Sequence, residues 1–184
     1  MQLQASLSRE NVAVLVRKFV PFELELGEAG QGARSLAIDE VSDVTLVADA
    51  GVRIVCKAHV RWPVMGLPVP VRAKALALLL RPRIAIRDGT PLFIVAPTVE
   101  HAEIAWSPSL MDDSITERLN RELAEQHVEL AWNFAKTLSH AFRLPGAIKT
   151  AATFGIEVVE GQVTVTEASL GMTVLFRATV DGRA

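Results

Sequence analysis

A single cysteine, Cys56, leaves this chain of 184 residues without an intramolecular disulfide or a cysteine-based zinc site. Neither sign of charge prevails. The 19 Lys and Arg stand against 21 Asp and Glu, a formal charge of -2 at pH 7, so no general attraction to nucleic acid or acidic membranes is expected. Uninterrupted apolar runs of about 18 residues or more, the length needed to span a bilayer, are also missing. The longest such segment is Ala75 to Leu80. At the start, Glu10, Arg17 and Lys18 interrupt the apolar stretch from Val12 to Phe22 and no small-residue cleavage site follows, so no secretory signal is expected. As written the chain is expected in the cytoplasm, or in the periplasm if an export signal has been removed. Catalytic signatures are missing too: there is no G-x-S-x-G elbow, no P-loop and no H-E-x-x-H. No catalytic residue, cofactor or metal is assigned.

What is present in excess is apolar side chain. The hydrophobic class is 50% of the chain, and the 11 glycines bring the total to about 56%, against roughly 45–50% for an ordinary soluble domain. Mean hydropathy is +0.29. A core of this size does not normally need so much, and the surplus points to a ligand surface or an interface.

Ser8 is a suitable N-cap, and Val12, Leu15, Val16 and Phe19 follow at helical spacing, which predicts a short amphipathic helix ending before Pro21. Val12, Val14 and Val16 also alternate, so a strand is the alternative. Gly27 to Gly32 reads as a loop and not as a dinucleotide fingerprint. From Leu36 to Trp106 the period becomes two. Val52, Ile54, Cys56, Ala58, Val60 and Trp62 share one strand face, and Arg53, Lys57, His59 and Arg61 share the other. Asp49-Ala50-Gly51 and Asp88-Gly89 supply turns, and the prolines between Pro63 and Pro70 are expected to interrupt pairing before a strand from Val69 to about Ile86. A long antiparallel meander results.

The next signal is a stripe of Ile115, Leu119, Leu123, Leu130, Phe134, Leu138 and Ala141, opened by Asp112 or by a capping box at Ser114 and Glu117, and closed at Pro145-Gly146. Read as one amphipathic helix of about 30 residues, it is about 45 Å long. A compact chain of this length is only about 40 Å across, so an elongated single domain over residues 1–184 is expected. Trp132 falls nearly opposite the stripe and is a candidate dimer or partner contact, or else a second buried edge with Val128. Beyond the helix, Ile156 and Val158, a turn at Glu160-Gly161, and strands through Val163 and Val165 and from Met172 to Val180 are predicted. His101 and Glu103 share a strand face near Asp112 and Asp113, which reads most simply as solvated; His127 falls in the helical stripe.

The order of elements (short helix, meander, long helix, terminal strands) resembles the TULIP superfamily of tubular lipid-binding proteins with the bactericidal/permeability-increasing fold, and within it small bacterial YceB-like lipoproteins. The likeness is carried by SLSRENVAVLVRKF (Ser6 to Phe19), VTLVADAGVRIVCKAHV (Val44 to Val60) and FGIEVVEGQVTV (Phe154 to Val165). It implies an α+β fold in which a highly curved antiparallel meander wraps the long helix around an apolar groove. It implies no enzymatic activity. The family's leading signal and lipidated cysteine have no counterpart in the sequence. Leu76, Leu78 and Leu80, on a segment apolar on both faces, and Ile115, Leu119, Leu123, Leu130, Phe134 and Leu138 are the candidate lining. A lipid or other hydrophobic small molecule is the expected partner. The alternative is a structural or interaction protein with a filled core that dimerises through its apolar surface.

Overall fold

The computed structural model describes residues 1–25, 35–64, 67–105, 112–125, 127–143 and 152–182. The loop expected at Gly27 to Gly32 lies outside them, as do Met65-Gly66 and the stop at Pro145-Gly146. The described elements are β1 (Gln2–Ser8), α1 (Arg9–Phe19), β2 (Phe22–Glu25), β3 (Ser35–Val47), β4 (Gly51–Val64), β5 (Leu67–Arg87) and β6 (Thr90–Ile104). There follow α2 (Asp112–Glu125), β7 (Leu130–Trp132), α3 (Phe134–Leu138), β8 (His140–Arg143), β9 (Ala152–Val165) and β10 (Ser169–Gly182). They form two curled, half-barrel antiparallel sheets, ordered β2-β3-β4-β5-β6-β7 and β1-β10-β9-β8.

The meander from β3 to β6 stands as its alternation predicts. Asp49 takes φ 58° in its first turn, where Gly51 is required because a Cβ there would lie 2.1 Å from the Leu80 carbonyl oxygen. Asp88 and Gly89 take φ 50° and 73°, the paired left-handed residues of a two-residue hairpin. On the outer face, side chains meet carboxylates of neighbouring strands: Lys57 Nζ lies 2.8 Å from Glu40, and His59 Nδ1 contacts Asp39. Cys56 sits on the buried face with its thiol 3.4 Å from the Leu76 carbonyl oxygen, and burial pushes its pKa up to about 12.

The long helix does not exist, and the fold is mostly β with three short helices among the described residues. The stripe is cut after α2. His127 N–H donates to the Ala124 carbonyl and Val128 N–H to that of Leu123, at 3.2 and 3.0 Å, with His127 at φ 49°. That is a Schellman stop with histidine in the place usually taken by glycine. Asn133 then caps a fresh helix, α3, by accepting from Lys136 N–H at 2.8 Å. Without that rod, helix length no longer calls for an elongated domain.

Other expectations are corrected. The prolines between Pro63 and Pro70 do not interrupt pairing, because β4 and β5 pair through Pro63↔Pro68 and Arg61↔Pro70. With Val64↔Leu67 closing the hairpin, these prolines fall at wide pairs, where no backbone N–H is asked of them. There is no turn at Glu160-Gly161 either. β9 runs on to Val165, and the chain reverses at residues 166–168, where the Thr166 hydroxyl accepts from Ser169 N–H at 3.0 Å. α1 begins at the expected cap, Ser8, whose hydroxyl accepts from Asn11 N–H at 3.3 Å. Its buried side is Val12, with Ala13 and Val16 packed partly against the core, while Leu15 and Phe19 face outward.

Two cores result. The larger joins Ile38, Val44, Ile54, Leu76 and Leu78 of the six-stranded sheet to Val12 of α1 and Leu119 and Leu123 of α2. The smaller surrounds Phe134 and Ala135 of α3 with Val158, Val174, Ile84 and Phe93. Thus the far end of the β5–β6 hairpin reaches the second sheet.

Candidate functional site

β6 carries β7 only along Phe93 to Val95, so the rest of its edge needs another cover. α2 supplies it. Asn120 Oδ1 accepts from Val99 N–H at 2.7 Å while its Nδ2 donates to the Val99 carbonyl at 2.8 Å. The side-chain amide thus stands in for a missing strand.

Where α2 ends beside this edge, a cleft of about 420 Å³ opens, lined by residues of β5, β6, α2 and the segment leading to β7. That volume lies within the roughly 300–1,000 Å³ of small-molecule sites. Ala96 and Pro97 of β6 with Leu123, Ala124 and Val128 give it an apolar floor. Arg83 and Arg87 of β5, four residues apart and therefore on one strand face, form its rim. Both reach Glu129: Arg83 Nη2 lies 3.2 Å from Oε2, and Arg87 Nη2 bonds Oε1. The Glu129 side chain is only 12% exposed, whereas the two guanidiniums are 53% and 49% exposed. Two cations share one carboxylate, so the pair-wise balance at this rim is one positive charge in excess. His127 completes the rim, its Nδ1–H donating to the Glu125 carbonyl at 3.2 Å.

A shallower hollow of about 300 Å³ lies on the second sheet near Ser139, His140, Gly155 and Thr179. Its Ser139 hydroxyl accepts from Val158 N–H at 3.0 Å, a contact that ties α3 to β9.

Six of the nine candidate lining residues share one core, and the other three stand apart from it. Leu76 and Leu78 are fully buried, Leu119 and Leu123 nearly so, and Leu80 and Ile115 pack partly against the same larger core. Phe134 and Leu138 belong to the smaller core. Leu130 is 62% exposed on β7. Of the set, only Leu123 borders the described cleft. Trp132 lies on β7 and not on a helix. It is 47% exposed, stacked edge-on to Phe93 and tilted on Phe134 at 6.4 and 6.2 Å, with Nε1–H donating to the Thr137 hydroxyl. His101 and Glu103 are exposed on β6, Glu103 facing Lys74 at 3.7 Å. Among the described residues, no group of three or more His, Cys, Asp and Glu is placed to hold a metal ion, and no helix is long and apolar enough to cross a membrane.

Arg83, Arg87, Asn120 and Glu129 were not singled out from sequence. The alternate arginines Arg81, Arg83 and, after Ala85, Arg87 were the available signal, since they mark one cationic strand face. Glu129 is more than 40 residues away and carries no local sign of its partners.

Compared with protein-family models, curated proteins and solved structures, the chain matches none.

Proposed function

We propose that the protein is a non-enzymatic binding module for a lipid or other hydrophobic small molecule, held in the cleft between the β5–β6 hairpin and the end of α2. The observation that carries this reading is the junction of an apolar floor with two guanidiniums sharing one carboxylate. Burial of each methylene contributes about 0.8 kcal/mol, and a charge-assisted hydrogen bond about 1.5–3 kcal/mol. An amphiphile whose anionic end meets Arg83 and Arg87 uses both. The likeness to the tubular lipid-binding superfamily supports this reading through its curled sheets and its ligand class, and not through a long helix.

Displacement of a fluorescent fatty acid tests it. Oleate is expected to bind and oleyl alcohol to bind more weakly, with Arg83→Met/Arg87→Met reducing the difference. Ala124→Trp, which fills the cleft from an exposed helix position, is expected to block both ligands. If neither ligand binds, or if Ala124→Trp leaves binding unchanged, the site is wrong.

A further inference from the structure

The edge of the four-stranded sheet at β1 is unlike the other sheet edges among the described residues. β2, β7 and β8 are 4, 3 and 4 residues long, and β2 and β8 carry Glu23, Glu25 and Arg143. β1 has 7 residues, QLQASLS, with no charge and no proline. An edge of this kind lacks the devices by which sheets avoid pairing with another strand.

Its backbone is aimed outward at defined positions. The Met1 amino group donates to the Phe176 carbonyl at 3.1 Å, and Phe176 N–H donates back to the Met1 carbonyl at 2.8 Å. Met1 and Phe176 are therefore a hydrogen-bonded pair, and by alternation Leu3, Ala5 and Leu7 direct their backbone groups to β10. The N–H and C=O groups of Gln2, Gln4 and Ser6 consequently face the open edge. Side chains follow the same parity. Leu3 lies opposite Val174, which is 3% exposed, yet Leu3 itself is 50% exposed; Leu7, opposite Leu170, is 37% exposed. The apolar face of the sheet thus continues to its rim and stops uncovered.

We infer that β1 pairs antiparallel with β1 of a second copy of this chain, centred on Ala5, joining the two four-stranded sheets into one. The order Gln-Leu-Gln-Ala-Ser-Leu-Ser selects that occupant, because it reads nearly the same in both directions. Turned about Ala5, it sets Leu3 beside Leu7 of the partner subunit and Gln4 beside Ser6 of the partner subunit. Gln4 and Ser6 are the residues whose backbone groups point outward, so the register that matches leucine to leucine is also the one that closes the hydrogen bonds. No charged side chain lies within Gln2–Ser8, so none is opposed along the paired strands. The interface shares no residue with the ligand cleft.

Sedimentation velocity and oxidative crosslinking on the full chain test this. Wild type is expected to be dimeric at micromolar concentration, and Gln4→Lys/Ser6→Lys, which places lysine opposite lysine, is expected to be monomeric with an unchanged circular dichroism spectrum. Ala5 meets its own copy at a wide pair, where the Cα separation of about 4.5 Å suits a disulfide. Ala5→Cys is therefore expected to crosslink under mild oxidation, and Leu3→Cys to crosslink with added Leu7→Cys protein but not with itself. Cys56 is buried and stays out of this chemistry. A monomeric wild type, or a dimer in which Ala5→Cys does not crosslink, overturns the inference. Should the lysine variant not fold, the crosslinking pattern decides.

Discussion

The ring of Phe134 occupies the space that a side chain at Gly161 would take: a Cβ there would lie 2.8 Å from Cζ of the ring and 3.4 Å from Cδ1 of Ile84. This contact joins α3, β9 and the far end of β5 in the smaller core. It also explains the glycine, which serves close approach in mid-strand and not a turn.

Gly161→Ala is therefore expected to destabilise the fold by about 1–3 kcal/mol through overpacking. In a Phe134→Leu background the penalty should shrink, since the clashing atoms are gone. Urea unfolding of the four members of the cycle measures this, and additive costs would show that the two residues do not share the space.

The stop at His127 is a backbone device. A non-glycine residue in the left-handed region costs about 1–2 kcal/mol, so His127→Gly is expected to raise the unfolding free energy by up to about 1 kcal/mol and His127→Val to lower it. Thermal unfolding reads both. Loss of stability in His127→Gly would mean that the imidazole bond to Glu125 outweighs the strain.

Asn120 bonds both backbone groups of Val99. Asn120→Ala leaves a donor and an acceptor without that partner, and a cost of about 2 kcal/mol is expected. Asn120→Asp keeps the acceptor but turns a carboxylate toward the Val99 carbonyl, so it should not restore stability. Hydrogen exchange at Val99 should quicken in both variants, and unaltered exchange would contradict this role for α2.

Glu100 is held below its ordinary value of 4.5, chiefly by hydrogen bonds from Arg53, whose Nη2 lies 2.9 Å from Oε1. A carboxyl lowered in the folded state contributes stability that is present above the unfolded value and is lost as pH falls through the folded one. Unfolding free energy should thus fall below pH 4.5, and Glu100→Gln should make that fall shallower. Denaturant titrations from about pH 5 to about pH 3 check it. An equally steep decline in the variant would assign the acid limb to other groups.

Local signals were legible wherever neighbours in the chain decide the structure. Ser8 marks the start of α1, and the turns at Asp49 and Asp88 and the alternation of Val52 to Val60 produce the meander. The stripe through Leu138 misled because Leu123 and Leu130 are seven residues, two helical turns, apart. Such spacing persists across a break, and the break depends on two side chains, His127 and Asn133, that periodicity does not weigh. β1 was missed because its apolar residues are few and its partner, β10, lies at the other end of the chain.

The amino-acid order by itself determined which residues alternate, where α1 begins and where the meander turns, because these depend on steric and hydrogen-bonding preferences a few residues wide. Tertiary structure alone decided that Gly161 admits a ring, that Asn120 completes the β6 edge, and that Arg83 and Arg87 share Glu129. Each joins groups at least 21 residues apart, and no local preference reports a distance that only tertiary packing creates.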